Sequence, residues 1–215
     1  MRRTLKSHCL PGAIVILLSV TGCSNGYTRW QTDVKVDNMS FDKLRYSVHE
    51  EDTSLIIARL KSDTEIRGIP CRAGWIHFDN DWTPAEFCLS RNHTYGNVEL
   101  PGGAWVLKHP QNEVLVVVFP DDTLVQGHHV RGGGGMNGVH TSFYFSGGIR
   151  QYFPVADAVI DNIKCRGGIF HPVTLHENGR LMSCTLGEDM TVSGTTLNKG
   201  TKIKVDTAGG IITGE

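Results

Sequence analysis

The chain has 215 residues, of which 21 are basic and 22 acidic, giving a formal net charge of −1 with histidine neutral. That balance supplies no basic face for a phosphate backbone, so nucleic acid is excluded as the expected partner. With 40% hydrophobic and 20% charged residues, the composition is that of a folded chain with one sizeable core rather than of a disordered one.

The chain begins with Arg2, Arg3 and Lys6, followed by the apolar run Ala13-Ile14-Val15-Ile16-Leu17-Leu18 and small residues, and no acid precedes Asp33. This is the order of an export signal, and the apolar run is too short to cross a bilayer stably as a helix. The tetrad Val20-Thr21-Gly22-Cys23 resembles the lipobox of bacterial lipoproteins. The resemblance implies cleavage after Gly22, diacylglycerol on Cys23 and an acylated new amino terminus. By analogy with enteric bacteria, Ser24 rather than an acid after the cysteine points to the outer membrane. Several acyl chains are needed for a firm hold, because each buried methylene contributes only ~0.8 kcal/mol. Removal of residues 1–22 takes away three basic residues and no acid, leaving 18 basic and 22 acidic residues, or −4.

Residues 23–52 read as a lipid-anchored tether and capping segment, with a short strand around Val34 and Val36 and a helical turn from Ser40. Residues 53–215 carry a recurring skeleton. An acid or amide is followed three residues later by an apolar residue, then by Gly or Asn, two alternating positions and a closing glycine. The five instances start at Asp63, Asn92, Asp122, Asp157 and Asp189, at steps of 29, 30, 35 and 32 residues. The apolar column is Ile66, Tyr95, Val125, Ile160 and Val192. Acids at this place are expected to cap tight turns, and the Gly or Asn column to take positive φ. A further strand follows each instance, and Asn178-Gly179 suits a type I′ hairpin turn.

The stretch Leu175-His176-Glu177-Asn178-Gly179-Arg180-Leu181 resembles the core of MORN-type repeats, an apolar residue, a polar Asn-Gly turn and another apolar residue. The expected fold is therefore all-β: a repetitive antiparallel curled sheet or short β-solenoid of about five ~30-residue repeats, whose neighbours bury one another's apolar side. A closed barrel or sandwich is the second choice.

Four cysteines, Cys71, Cys88, Cys165 and Cys184, follow Cys23. In an exported chain two disulfides are the default, with three pairings open. Cys71 and Cys165 share one column, and Cys88 and Cys184 each lie just before an apolar anchor, Leu89 or Leu186. The expected pairs are Cys71 with Cys88 and Cys165 with Cys184.

For chemistry the sequence offers little. Gly133, Gly135 and Gly138 satisfy GxGxxG, yet a strand-like segment follows where a phosphate-binding loop needs a helix, so a flexible loop is the better reading. His128, His129 and His140 flank this loop and could ligate zinc or copper, although their spacing is not diagnostic. No cofactor or metal is expected. Trp75, Trp82 and Trp105 are candidates for stacking on a sugar or gripping a protein, alongside His128 and His140. Trp82, in an expected turn, is the best exposed candidate. The leading expectation is a non-catalytic binding or scaffolding module for protein or glycan, held in the cell envelope by its membrane anchor. Alternatives are a metal-binding or hydrolytic protein using the histidine loop, and an immunity lipoprotein.

Overall fold

A computed structural model describes residues 26–48, 55–95, 97–109 and 114–212. The expected signal segment 1–22 and the acylation site Cys23 lie outside the described residues. Among the described residues, fourteen strands form one antiparallel sheet. In spatial order these are Gly26–Tyr27, Met39–Val48, Ile56–Leu60, Gly74–Phe78, Pro84–Cys88, Trp105–His109, Val114–Val118, His140–Tyr144, Ile149–Tyr152, Val173–Leu175, Leu181–Thr185, Lys202–Val205 and Ile211–Ile212. Gln31–Val36 adds a branch by pairing with Met39–Val48. From Met39 onward spatial order follows chain order, so every connection is local, and the sheet does not close into a barrel. The expected all-β class with a large antiparallel sheet is what the chain adopts.

Two kinds of connection alternate. One kind carries a small two-stranded ribbon, and five of these are described. They pair Thr64–Ile66 with Ile69–Cys71, His93–Tyr95 with Val98–Leu100, Thr123–Val125 with His128–Val130, Ala158–Ile160 with Ile163–Cys165, and Met190–Val192 with Thr195–Leu197. They coincide with the five instances of the skeleton. Four of them turn through two residues with both φ positive, Arg67-Gly68, Gln126-Gly127, Asp161-Asn162 and Ser193-Gly194, as a type I′ turn demands. The closing glycines 74, 103, 133, 168 and 200 all lie at φ between 86° and 125°. The acid column does something other than the tight-turn capping expected. Asp63, Asn92, Asp122, Asp157 and Asp189 each accept, through Oδ1, the backbone N–H of the residue ten positions later, at 2.7 to 2.9 Å. The side chain thus ties the two feet of a ribbon together.

The other kind of connection is a short hairpin loop. At 79–83, 144–148, 176–180 and 206–210 the same pair of backbone hydrogen bonds closes three residues, the last of them at positive φ. That last residue is Trp82, Gly147, Gly179 or Gly209, with φ 64°, 93°, 80° and 96°. The Asn178-Gly179 loop is therefore not the type I′ turn expected. With positive φ only at Gly179, it is a three-residue loop of the bulged kind, and Asn178 Oδ1 accepts from Arg180 N. The type I′ turns belong to the ribbons.

The ribbons lie on one face of the sheet and share its core. Ile66, Val98, Leu100, Val130, Ile160, Ile163 and Cys165 pack in the same buried cluster as Phe41, Phe78, Phe87, Val106, Val117, Phe143, Val173 and Ile203. Of the apolar column, Ile66 and Ile160 are buried, and Tyr95 and Val125 pack half-buried on the core. The segment before residue 53 is more than a tether: it contributes strands to the sheet and buries Met39, Phe41 and Leu44. Ser40 lies in a ten-residue strand, not a helical turn, because alternation of Met39, Phe41 and the cations after it matches a half-buried strand better than a helix.

The two expected disulfides are not formed: all four cysteines are free thiols, and all are buried. Cys165 and Cys184 belong to the core cluster, where the Cys165 thiol lies 3.7 Å from the Ile163 carbonyl. Cys88 does not belong to it. Its neighbour Phe87 points into the core opposite Val106, so Cys88, opposite Trp105, faces the other side of the sheet, while Cys71 faces the core.

Candidate binding face

The sheet face away from the ribbons, which we call the open face, carries mostly half-buried side chains, and the glycine-rich loop covers it at Val118, which is 1% exposed. The register draws one row straight across it, Arg45, Ile57, His77, Glu86, Leu107, Val116, Ser142, Gln151, Thr174, Ser183, Lys204 and Ile212. Directly opposite residues in antiparallel strands share a face, so these side chains stand side by side at roughly 4.8 Å per strand. Within the row His77 Nδ1 and Glu86 Oε2 are 2.7 Å apart. A second row carries Lys43, Arg59 and Trp75, and a third Cys88, Trp105, Val118 and His140. Trp75 and Trp105 thus stand on one face with a single strand between, roughly 10 Å apart by strand spacing.

At its N-terminal edge this face carries a strip of alternating rings and cations. Arg45 lies 3.9 Å from the Tyr27 ring centre and 4.3 Å from that of Trp30. Lys43 lies 5.0 Å from Trp30 and 4.8 Å from Trp75, and the two indoles are 5.8 Å apart. Tyr27, Trp30 and Trp75 are 54%, 38% and 38% exposed. The edge is held by Thr28, which donates its N–H to the Tyr46 carbonyl and accepts the Tyr46 N–H through Oγ1. Among the described residues no carboxylate pairs with Lys43 or Arg45, whereas Arg59, Lys61, Arg67, Arg91, Lys164 and Arg180 each have an acidic partner.

The expected site residues separate. Trp75, Trp105 and His140 come to the open face. Trp82 does not: its positive φ turns the indole onto Phe41 and Phe78, at 6.0 and 5.4 Å, so the residue expected to be the most available is packed on the core. His128 sits on the third ribbon with Nδ1 2.9 Å from the buried Tyr152 hydroxyl, and burial lowers its pKa. His129 and His140 are exposed. Among the described residues no three His, Cys, Asp or Glu side chains come together as a metal would need. The glycine-rich loop contains only a 3-10 turn, Gly135–Asn137, before strand His140–Tyr144, with no helix to aim amides at a phosphate. Its glycines serve close packing: a side chain at Gly138 would collide with the Gly133 carbonyl and with Val118.

Tyr27, Trp30, Lys43 and Arg45 were not anticipated. Two cations flanking the apolar Leu44 at alternate positions are a strand signal that was available, but only the register reveals that they stand against the rings. A wide hollow of about 790 Å³ lies among Arg72, Ser90, Arg91, Asn92, Gly102 and Asp121. Two of its polar groups are engaged, Arg91 by Glu65 and Asn92 by Gly102 N. No helix of the described residues is long and apolar enough to cross a membrane. Comparison with known proteins gave no matching family model, no matching curated protein and no matching solved structure.

Proposed function

We propose that the chain is a non-catalytic envelope lipoprotein, acylated at Cys23 and sorted to the outer membrane, whose open sheet face binds a glycan. The supporting observation is the placement of Trp75 and Trp105 on one face beside the His77–Glu86 pair. Flat apolar rings flanked by fixed hydrogen-bonding groups suit a sugar, whose faces carry C–H bonds and whose edges carry hydroxyls. A protein partner would use the same aromatic anchors. The anchor rests on the Val20-Thr21-Gly22-Cys23 tetrad.

The architecture proposed with this function is one strand–hairpin–strand–ribbon unit used five times, a short open solenoid in which neighbours complete one another's core. The identical ten-residue hydrogen bond at Asp63, Asn92, Asp122, Asp157 and Asp189 supports it. Co-sedimentation of the protein with purified cell-wall sacculi, and a glycan array, test the binding. Trp105→Ala is expected to weaken binding at least tenfold with the fold intact by circular dichroism. Unchanged binding, or specific capture of one envelope protein without any glycan retention, counts against the glycan reading.

A further inference from the structure

The strip at the N-terminal edge has a position as well as a chemistry. Tyr27 lies four positions after Cys23, so the two Cα atoms lie within roughly 14 Å. If Cys23 carries acyl chains, Tyr27, Trp30, Lys43 and Arg45 are held within reach of the lipid headgroups. Tyrosine and tryptophan are the side chains that settle at that depth, with an apolar body toward the acyl chains and a polar edge toward water. Lysine and arginine beside them lay their stems along apolar surface and carry charge outward. Here the two cations lack acidic partners among the described residues, and Arg45 Nε is buried with no hydrogen-bond acceptor.

We propose that Tyr27, Trp30, Lys43 and Arg45 form a docking surface for anionic phospholipid headgroups, which seats the N-terminal edge of the sheet on the membrane that holds the anchor. A single point of attachment does not by itself fix how a domain is oriented on a membrane. A second contact of rings and charges fixes which way the open face points. The placement argument rests on acylation of Cys23, while the chemistry of the strip does not.

Vesicle flotation of the mature chain, as acylated wild type and as Cys23→Ala expressed without residues 1–22, on phosphatidylcholine alone and with phosphatidylglycerol, tests this. Wild type is expected to float with both. Cys23→Ala is expected to float only with the anionic vesicles, at low salt, and to lose at least tenfold in association when Lys43→Glu and Arg45→Glu are added, as juxtamembrane basic residues do. Trp105→Ala, outside the strip, should not change it. Cys23→Ala that prefers anionic vesicles no more than neutral ones overturns the proposal. So does a Lys43→Glu/Arg45→Glu protein that binds anionic vesicles normally but loses glycan. Failure of wild type to float on neutral vesicles counts against acylation alone, because the Cys23→Ala arm still judges the strip.

Discussion

Residues 63–89 and 157–186 follow the same course with opposite results for their cysteines. Each begins with an aspartate that ties a ribbon, places a cysteine eight residues on at the ribbon's end, passes a three-residue hairpin loop, and reaches a buried leucine seven residues beyond the loop's positive-φ residue. Cys71 bridges Leu89, and Cys165 bridges Leu186. Counting back from those leucines, however, Cys184 lies two residues before its leucine and Cys88 only one. In a strand one residue is one face, so Cys184 takes the core position that Phe87 fills in the earlier segment, while Cys88 turns to the open face beside Arg72. Equal column spacing puts two cysteines in one neighbourhood; only parity decides whether they can meet.

The largest test of this contrast is oxidation. Cys165 and Cys184 face the same core, and Cys184 is the less deeply buried, 4% against 0% exposed, so an oxidant entering from solvent meets Cys184 first. With oxidised glutathione, Cys184 attacks the disulfide and releases one glutathione thiol. Cys165 then displaces the second, giving the Cys165–Cys184 bond and two reduced glutathiones. Closing that loop is expected to stabilise by about 3 kcal/mol in the chain-entropy model. Cys71, pushed up to about 12 by burial and then by Cys88, should stay reduced. Non-reduced peptide mapping with thermal unfolding before and after dithiothreitol reads both. A Cys71–Cys88 peptide in the native state would break the parity argument.

The two hairpin loops supply the next test. Trp82 stands where the later loop has Gly179, and a side chain at positive φ costs roughly 1 to 2 kcal/mol. Its contacts with Phe41 and Phe78 offset that. Trp82→Gly removes both the strain and the packing and should destabilise by about 2 kcal/mol, while Trp82→Ala, which keeps a Cβ at positive φ, should be worse by about 1 kcal/mol. Denaturant titration of the pair checks the order. Equal values, or Ala better than Gly, would mean that the strain at this position is negligible.

The ribbons were legible because their signal is local: Gly68, Gly127, Asn162 and Gly194 stand where both turn residues need positive φ, and the acid column keeps constant distance from the closing glycine. The binding face was not, since it is made between units. Nothing near Lys43 in the sequence says that Arg59 and then Trp75 lie opposite it. Trp82 was misplaced for a related reason. Its sequence context, Asp81 and Thr83 in a turn, points to solvent, and the core under it comes from Phe41, forty-one residues earlier. His128 has its partner, Tyr152, twenty-four residues further along the chain.

The smallest effect isolates what the two segments have in common. Asp63→Ala and Asp157→Ala each remove one acceptor from an exposed backbone amide at a ribbon's foot, and each is expected to cost about 1 kcal/mol. The ribbon at 93–100 already uses Asn92 in the same role, so Asp63→Asn and Asp157→Asn should cost only a few tenths. If the bond acts alike in both segments, the two Ala values agree within error and the double variant equals their sum, because the ribbons share no partner across so many strands. Asp157 has one further neighbour. A Cβ added at Gly187 would come within 3.3 Å of its Oδ2, so the carboxylate packs against the chain that follows Leu186. An Asp157→Ala cost clearly above that of Asp63→Ala would assign the excess to this packing, and hydrogen exchange at Gly167 and Ala73, the two donor amides, would show it directly as unequal loss of protection.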